Sequence, residues 1–166
     1  MKMLYVIGGT MGVGKTTVCQ RLKRDLPHSV FLDGDWCWDA DPFVVTEETR
    51  TMVLDNICHL LNNFLACSAY QNIIFCWVLH EQHIIEDILR RLCTENCAVK
   101  VISLTADEAT LRARLERDVK NGLRAPDVIQ RSVERMPLYE RLNTVRVDTC
   151  GKTVEEVAEA IRRAGA

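Results

Sequence analysis

The stretch that most limits what this chain can fold into is Gly9-Thr10-Met11-Gly12-Val13-Gly14-Lys15-Thr16. It fits the pattern G-x-x-x-x-G-K-[ST]. The apolar run Leu4-Tyr5-Val6-Ile7 precedes it and reads as a buried strand. Val18, Leu22 and Leu26 follow at helical spacing, and Pro27 stops that helix. Strand, glycine-rich turn and helix in this order suit one chemistry. Glycines let backbone N–H groups turn inward around phosphate oxygens. The helix N-terminus adds a partial positive charge. Lys15 is placed to reach the β- and γ-phosphates, and Thr16 offers a hydroxyl to Mg²⁺. Residues Gly9 through Thr16, with Thr17 in the first helical turn, are therefore the nucleotide-phosphate candidates. A glycine-rich turn that binds nothing has no need of Lys15 and Thr16 together.

The rest of the chain alternates strand and helix. The first strand is expected at 2–7 and the first helix at 14–26. A second strand, 29–32, runs into Asp33-Gly34-Asp35 and then an aromatic, acidic loop from Trp36 to Phe43. Thr46 reads as the N-cap of a helix with Glu47 and Glu48 in its first turn and a stripe of Val53, Ile57, Leu60, Leu61, Phe64 and Leu65. The run 72–79 is apolar on both faces, as in a central parallel strand, and Trp77 falls in its middle as a core residue. A helix with Ile84, Ile85, Ile88, Leu89 and Leu92 leads to a strand at 98–104. Thr105-Ala106-Asp107-Glu108 reads as a capping box. It opens a helix with Leu111 and Leu115 on one side and Arg114 and Arg117 on an adjoining side. Asn121-Gly122 breaks that helix. A basic connection, 123–127, leads to a helix with Val128, Ile129, Val133 and Met136. A strand at 144–147 and a second capping box, Thr153-Val154-Glu155-Glu156, complete the pattern. Such alternation gives a three-layer α/β/α fold around a five-stranded parallel sheet. No linker interrupts it, so residues 1–166 are expected to form one domain.

Bulk properties exclude several classes. Lys and Arg number 21 and Asp and Glu 23, a net charge of −2. No electrostatic reason points to nucleic acid or an anionic membrane as partner. The longest apolar run, Ile73 to Leu79, is too short to span a bilayer. Eight cysteines occur without a C-x-x-C pair or a histidine at zinc-finger spacing. They read as reduced core thiols, which with a first strand that leads straight into the glycine loop suggests a cytoplasmic protein.

Asp33 and Asp35 follow the second strand. Ligands of open parallel sheets bind beyond the carboxyl ends of strands, so this pair belongs beside the glycine loop. One carboxylate can hold Mg²⁺ through water, and the other can take a proton from a hydroxyl. The competing reading is a D-G-D surface turn. Phe31-Leu32-Asp33-Gly34-Asp35 after the loop and one helix resembles gluconate kinase and adenylylsulfate kinase. The Asp-x-Asp is also similar to shikimate kinase, and the arginine-bearing segment 118–136 resembles the lid of adenylate kinase. The resemblance implies a P-loop kinase fold with a short helical lid, and ATP and Mg²⁺ as cofactors. It also implies Asp33 with Thr16 on the metal, and Asp35 at the acceptor hydroxyl. Leu111 to Arg117 looks like the helix before that lid, where Arg114 lies over the adenine and Arg117 nears the phosphates. Asp148-Thr149-Cys150-Gly151 looks like the loop bordering the adenine. Cationic side chains closing from a lid suit a phosphoryl transition state. Arg124, Arg131 and Arg135 are the candidates, and the sequence does not select among them.

The chain departs from these families on the acceptor side. Adenylate kinase-like enzymes carry an arginine just after the third strand that grips the acceptor phosphate; here that place reads Cys76-Trp77-Val78-Leu79-His80. Gluconate kinase carries Leu-His-Pro where this chain has Trp36-Cys37-Trp38. Arg50 is the main remaining cation, and Trp36, Trp38, Phe43, Trp77 and His80 are candidate lining residues. The expected activity is transfer of the γ-phosphate of Mg·ATP to a hydroxyl of a small molecule, by a monomer or homodimer. Lys15, Asp35 and Arg124 would be catalytic. The alternatives are a nucleotide-dependent switch and an ATP-binding sensor or ATPase without transfer. Asp148-Thr149-Cys150-Gly151 matches D-x-x-G, but it follows the last strand and no N-K-x-D motif occurs.

Overall fold

A computed structural model describes residues 1–165. Five strands form one parallel sheet: β1 (Lys2–Gly8), β2 (Ser29–Asp33), β3 (Asn72–Cys76), β4 (Cys97–Thr105) and β5 (Val145–Asp148). Their order is β2-β3-β1-β4-β5. Six helices connect and cover them: α1 (Lys15–Asp25), α2 (Glu47–Ala66), α3 (Gln82–Arg91), α4 (Glu108–Lys120), α5 (Val128–Arg135) and α6 (Val154–Arg163). The expected α/β/α fold with five parallel strands is what the chain adopts.

The sheet separates two cores because side chains alternate along a strand and both faces are covered. In β1, Tyr5 and Ile7 pack with Val18, Cys19 and Leu22 of α1 and Val157 and Ile161 of α6. Leu4 and Val6 point the other way, against Ile57 and Leu61 of α2 and Ile85 and Ile88 of α3. Thus α1 leaves β1 toward one face while α3 leaves its neighbour β3 toward the other. A crevice opens between the carboxyl ends of these two strands, as open parallel sheets require. Register places Ile7, Cys76 and Asp33 in one row across β1, β3 and β2. The acid at the end of β2 therefore lies level with the end of β1.

Several local expectations are corrected. The third strand ends at Cys76, not Leu79; Trp77 N still donates to Ile7 O, but the backbone then leaves the strand and Leu79 adopts φ 42. Trp77 is half-buried, not a mid-strand core residue. The N-cap of α4 is Asp107, whose side chain accepts from Thr110 N at 2.7 Å, while Thr105 stays in β4. The capping box at Thr153–Glu156 forms as expected, and Thr46 caps α2 with Thr49 as its reciprocal partner. Cys19, Cys58 and Cys76 are core thiols, but Cys67 and Cys93 are exposed. Two short 3-10 turns, Gly34–Cys37 and Met136–Arg141, were not expected. Among the described residues no helix is long and apolar enough to cross a membrane.

Phe75 is fully buried in β3 and Thr153 sits at an exposed helix start. Phe75→Ala should lower unfolding stability by about 3–5 kcal/mol. Thr153→Ala should cost only about 1 kcal/mol. Urea midpoints at constant m-value measure both, and equal losses would show that the sheet core does not dominate stability.

Candidate active site

The loop between β1 and α1 is shaped by Gly14, the N-cap of α1, at φ 98. A side chain is strained in that region, and glycine also brings no capping group. The first N–H groups of a helix have no partner within it. At α1 no side chain caps them, so they stay available at the positive end of the helix dipole. That is a fit for phosphate oxygens. Lys15 donates to the carbonyls of Gly9 at 2.7 Å and Thr10 at 3.1 Å, folded back over the loop. Burial pulls its pKa below the ordinary lysine value, against the opposing charges of Asp35 and Asp33. Thr17 is exposed in the same turn.

Thr16 points to the end of β2. Its hydroxyl donates to Asp33 Oδ2 at 2.8 Å, and Asp33 Oδ1 accepts from the Asp35 backbone N at 3.0 Å. A hydroxyl beside a buried carboxylate offers hard oxygen ligands. Mg²⁺ suits such a pair because it keeps several waters and takes the rest from one or two carboxylates and phosphate. Asp35 stands further out, at the mouth of the crevice, where Trp77 Nε1 donates to its Oδ1 at 3.2 Å. Partial burial and the Asp33 charge hold the Asp35 carboxyl above the usual aspartate value. Lys15, the Trp77 hydrogen bond and Arg124 oppose the shift.

Arg114 lies where α4 passes the loop. Its guanidinium donates to Val13 O at 3.3 Å, Thr149 Oγ1 at 3.1 Å and Thr149 O at 3.3 Å. Thr149 is itself buried and donates to Thr105 O at 3.0 Å. The loop after β5 and the glycine loop are thus joined through one cation. Arg117 is exposed and makes no side-chain hydrogen bond or ion pair among the described residues.

The remaining arginines separate. Arg124 pairs with Asp118 at 3.2 Å on the 121–127 connection, and its charge is felt at both Lys15 and Asp35. Arg131 pairs with Asp127 at 3.2 Å and is exposed. Arg135 is half-buried and acts on His80 and Tyr139. Arg50 is exposed on α2, away from these contacts. His80 pairs with Glu81 at 3.1 Å through Nε2, while its buried Nδ1 has no partner, and burial followed by Arg135 lowers its pKa. Trp36 stacks edge-on against Phe31, with ring centroids 5.1 Å apart, and is 56% exposed. A groove of about 540 Å³ lined by Trp36, Cys37, Asp55, Asn56, His59 and Leu60 begins there. Trp38 stacks on Phe43 at 4.4 Å.

Two supports escaped the sequence. Ser132 is fully buried in α5 and donates to Met11 O at 2.6 Å, while Thr10 Oγ1 donates to Ser132 O at 2.9 Å. Tyr139 donates through its phenol to Val78 O at 2.6 Å. Of these only Ser132 left a signal: it sits four residues after Val128, on an otherwise apolar helix face. Trp77, a candidate lining residue from the sequence, holds Asp35.

The fold has relatives among solved structures. A Deinococcus radiodurans tunicamycin resistance protein aligns at 21% identity with a TM-score of 0.73, covering 97% of this chain and 94% of that one. A gluconokinase from Sinorhizobium meliloti 1021 aligns at 18% identity and TM-score 0.66, covering 95% and 87%. A shikimate kinase from Acinetobacter baumannii, in complex with shikimate, aligns at 19% identity and TM-score 0.59, covering 98% and 91%. At these identities the likeness is one of fold, that of the P-loop kinases. No curated protein matches the sequence. The profile of the AAA domain family matches residues 6–136, from the first strand through α5, and the chain belongs to that family of P-loop proteins.

Proposed function

We propose that the protein is an ATP-dependent phosphotransferase that moves the γ-phosphate of Mg·ATP to a hydroxyl of a small molecule. The observation that carries this reading is Asp35. An aspartate whose pKa is held above its usual value stands at the mouth of a phosphate-loop crevice, near Lys15 and the Thr16–Asp33 pair. A switch that only bound nucleotide has no use for a second carboxylate there. The fold neighbours named for gluconate and shikimate kinases are in keeping with it.

In this reading the amides at the start of α1 bind the phosphates, and Lys15 swings from the Gly9 and Thr10 carbonyls to the β- and γ-phosphates. Thr16 and Asp33 would hold Mg²⁺, whose charge would offset that of the phosphates. Arg114 and Thr149 border the adenine, with Arg117 nearby. Asp35 accepts the proton of the acceptor hydroxyl as that oxygen bonds to the γ-phosphorus and the bridging oxygen leaves with ADP. Residues 118–136 act as a lid on a single domain, bringing Arg124 over the transferred group and excluding water. Trp36, His80, Arg50, Arg131 and Arg135 are left as acceptor-side candidates. The protein would act in the cytoplasm as a monomer or homodimer, without nucleic acid or membrane. The direct test is ATP turnover with and without hydroxyl compounds: nucleosides, sugars, polyol acids and nucleoside-like or aminoglycoside-like antibiotics. Turnover that never depends on an added alcohol would overturn the proposal in favour of an ATPase or sensor.

Lys15→Ala should reduce acceptor-dependent turnover by at least roughly 10²–10³-fold while the fold, followed by circular dichroism, is kept. Arg114→Ala should raise the KM for ATP about tenfold, the equivalent of one charged hydrogen-bonding anchor, with the acceptor KM little changed. A selective effect on the acceptor would place this helix at the other end of the site.

The two carboxylates should separate in the same assays. Asp35→Asn should lower kcat by about 10²–10⁴-fold with ATP binding nearly unchanged. Asp33→Asn should raise the Mg²⁺ concentration needed for half-maximal rate. Asp35 must be ionised to accept a proton, and its pKa is raised. Wild-type kcat should therefore fall as pH drops through a midpoint above the ordinary aspartate value of 3.8. The residual activity of Asp35→Asn should lack that limb. An unchanged limb in the Asn variant assigns the base elsewhere.

A further inference from the structure

Trp77 stands just past the end of β3, and its side chain meets the turn after the neighbouring strand β2. Its ring lies over Gly34. A Cβ at position 34 would stand 2.5 and 2.6 Å from two ring carbons, so only glycine leaves room for the indole. At the same time Nε1 donates to Asp35 Oδ1. Indole nitrogen is a donor only, so it exchanges no proton with the carboxylate. It engages one oxygen, while Oδ2 has no partner among the described residues.

The backbone that aims the indole is fixed from three sides. Trp77 N donates to Ile7 O at 3.1 Å, Gly9 N donates to Val78 O at 3.2 Å, and the Tyr139 phenol donates to the same Val78 oxygen. Leu79, buried, holds a left-handed φ of 42. That conformation is strained for a bulky residue and persists only when its surroundings over-determine it. Asp35 is thereby tied to the glycine loop twice. One route runs through Asp33 and Thr16, the other through Trp77, Val78 and Gly9.

We infer that Trp77 is the positioning residue of the acceptor side: its indole N–H fixes Asp35 Oδ1, leaves Oδ2 to meet the acceptor hydroxyl, and makes glycine necessary at position 34. The positioning role rests on the reading of Asp35 as the acceptor-facing carboxylate; the contact itself does not. Asp33 in β2, Lys15 in α1 and Arg124 before α5 are the charged groups facing Asp35, and Cys37 lies in its own turn.

The experiment compares the indole N–H resonances of ¹⁵N-tryptophan-labelled protein at one fixed pH. The chain has three tryptophans, and Trp77→Phe assigns the signal of Trp77 by its disappearance. That signal should leave its wild-type position in Asp35→Ala, which removes the acceptor, and in Gly34→Ala, where the new Cβ displaces the ring. A signal that stays in place in Asp35→Ala overturns the contact. In turnover assays Trp77→Phe should lower kcat by roughly tenfold, as for loss of one hydrogen bond to a charged group, with the KM for ATP unchanged. An unchanged kcat, or a loss matched in the KM for ATP, overturns the positioning role. If the wild type shows no acceptor-dependent turnover while the resonance responds to Asp35→Ala, the kinase reading and the positioning role fall and the contact stands.

Discussion

The site depends on one buried carboxylate. Asp33 is the only acid among the described residues that is buried, at 6% exposure, and a buried charge is costly unless its oxygens are paired. Both are: one accepts from Thr16, the other from the amide of Asp35. The arrangement sets the first turn of α1 and the turn after β2 in fixed relation. Sheet register makes it possible, because Asp33, Cys76 and Ile7 share a row. Adjacent strands are about 4.8 Å apart, so the end of β2 lies only about 10 Å from the end of β1.

Around that centre the chain joins distant segments by bonds to the glycine loop. Ser132 holds its Thr10–Met11 corner from α5, Arg114 holds Val13 from α4, and Val78 takes the amide of Gly9. Elements that follow in sequence by about seventy to more than a hundred residues thus brace a loop formed at residue nine. Lys15 alone lies on contacts a ligand could replace, two carbonyls of its own loop. Its charge thus rests on its own loop, while that loop is braced by distant segments.

Asp33 and Asp35 differ in environment. Among the described acids Asp33 is the enclosed one, with both oxygens hydrogen-bonded; Asp35 lies further out, with one oxygen on an indole and its carboxyl held above the usual aspartate value by partial burial and by its neighbour. Environments that differ in this way let two carboxylates serve different chemistry.

The sequence alone determined what rests on contacts within a few residues. The glycine loop, the caps at Thr46 and Thr153, and the alternation of strands and helices follow from backbone freedom, local hydrogen bonds and periodicity, all readable along the chain. So did the approach of Asp33 to the loop, because parallel sheets set their strand ends together. Local rules misplaced the end of β3, since nothing adjacent to Trp77 shows that Tyr139 and Gly9 draw the following carbonyl out of the strand. They also passed over Ser132, whose hydroxyl has meaning only when α5 lies on the loop. Tertiary structure alone decided these points. They depend on pairs of groups more than sixty residues apart, whose meeting is fixed by packing of two cores on a sheet and not by any preference of the residues themselves.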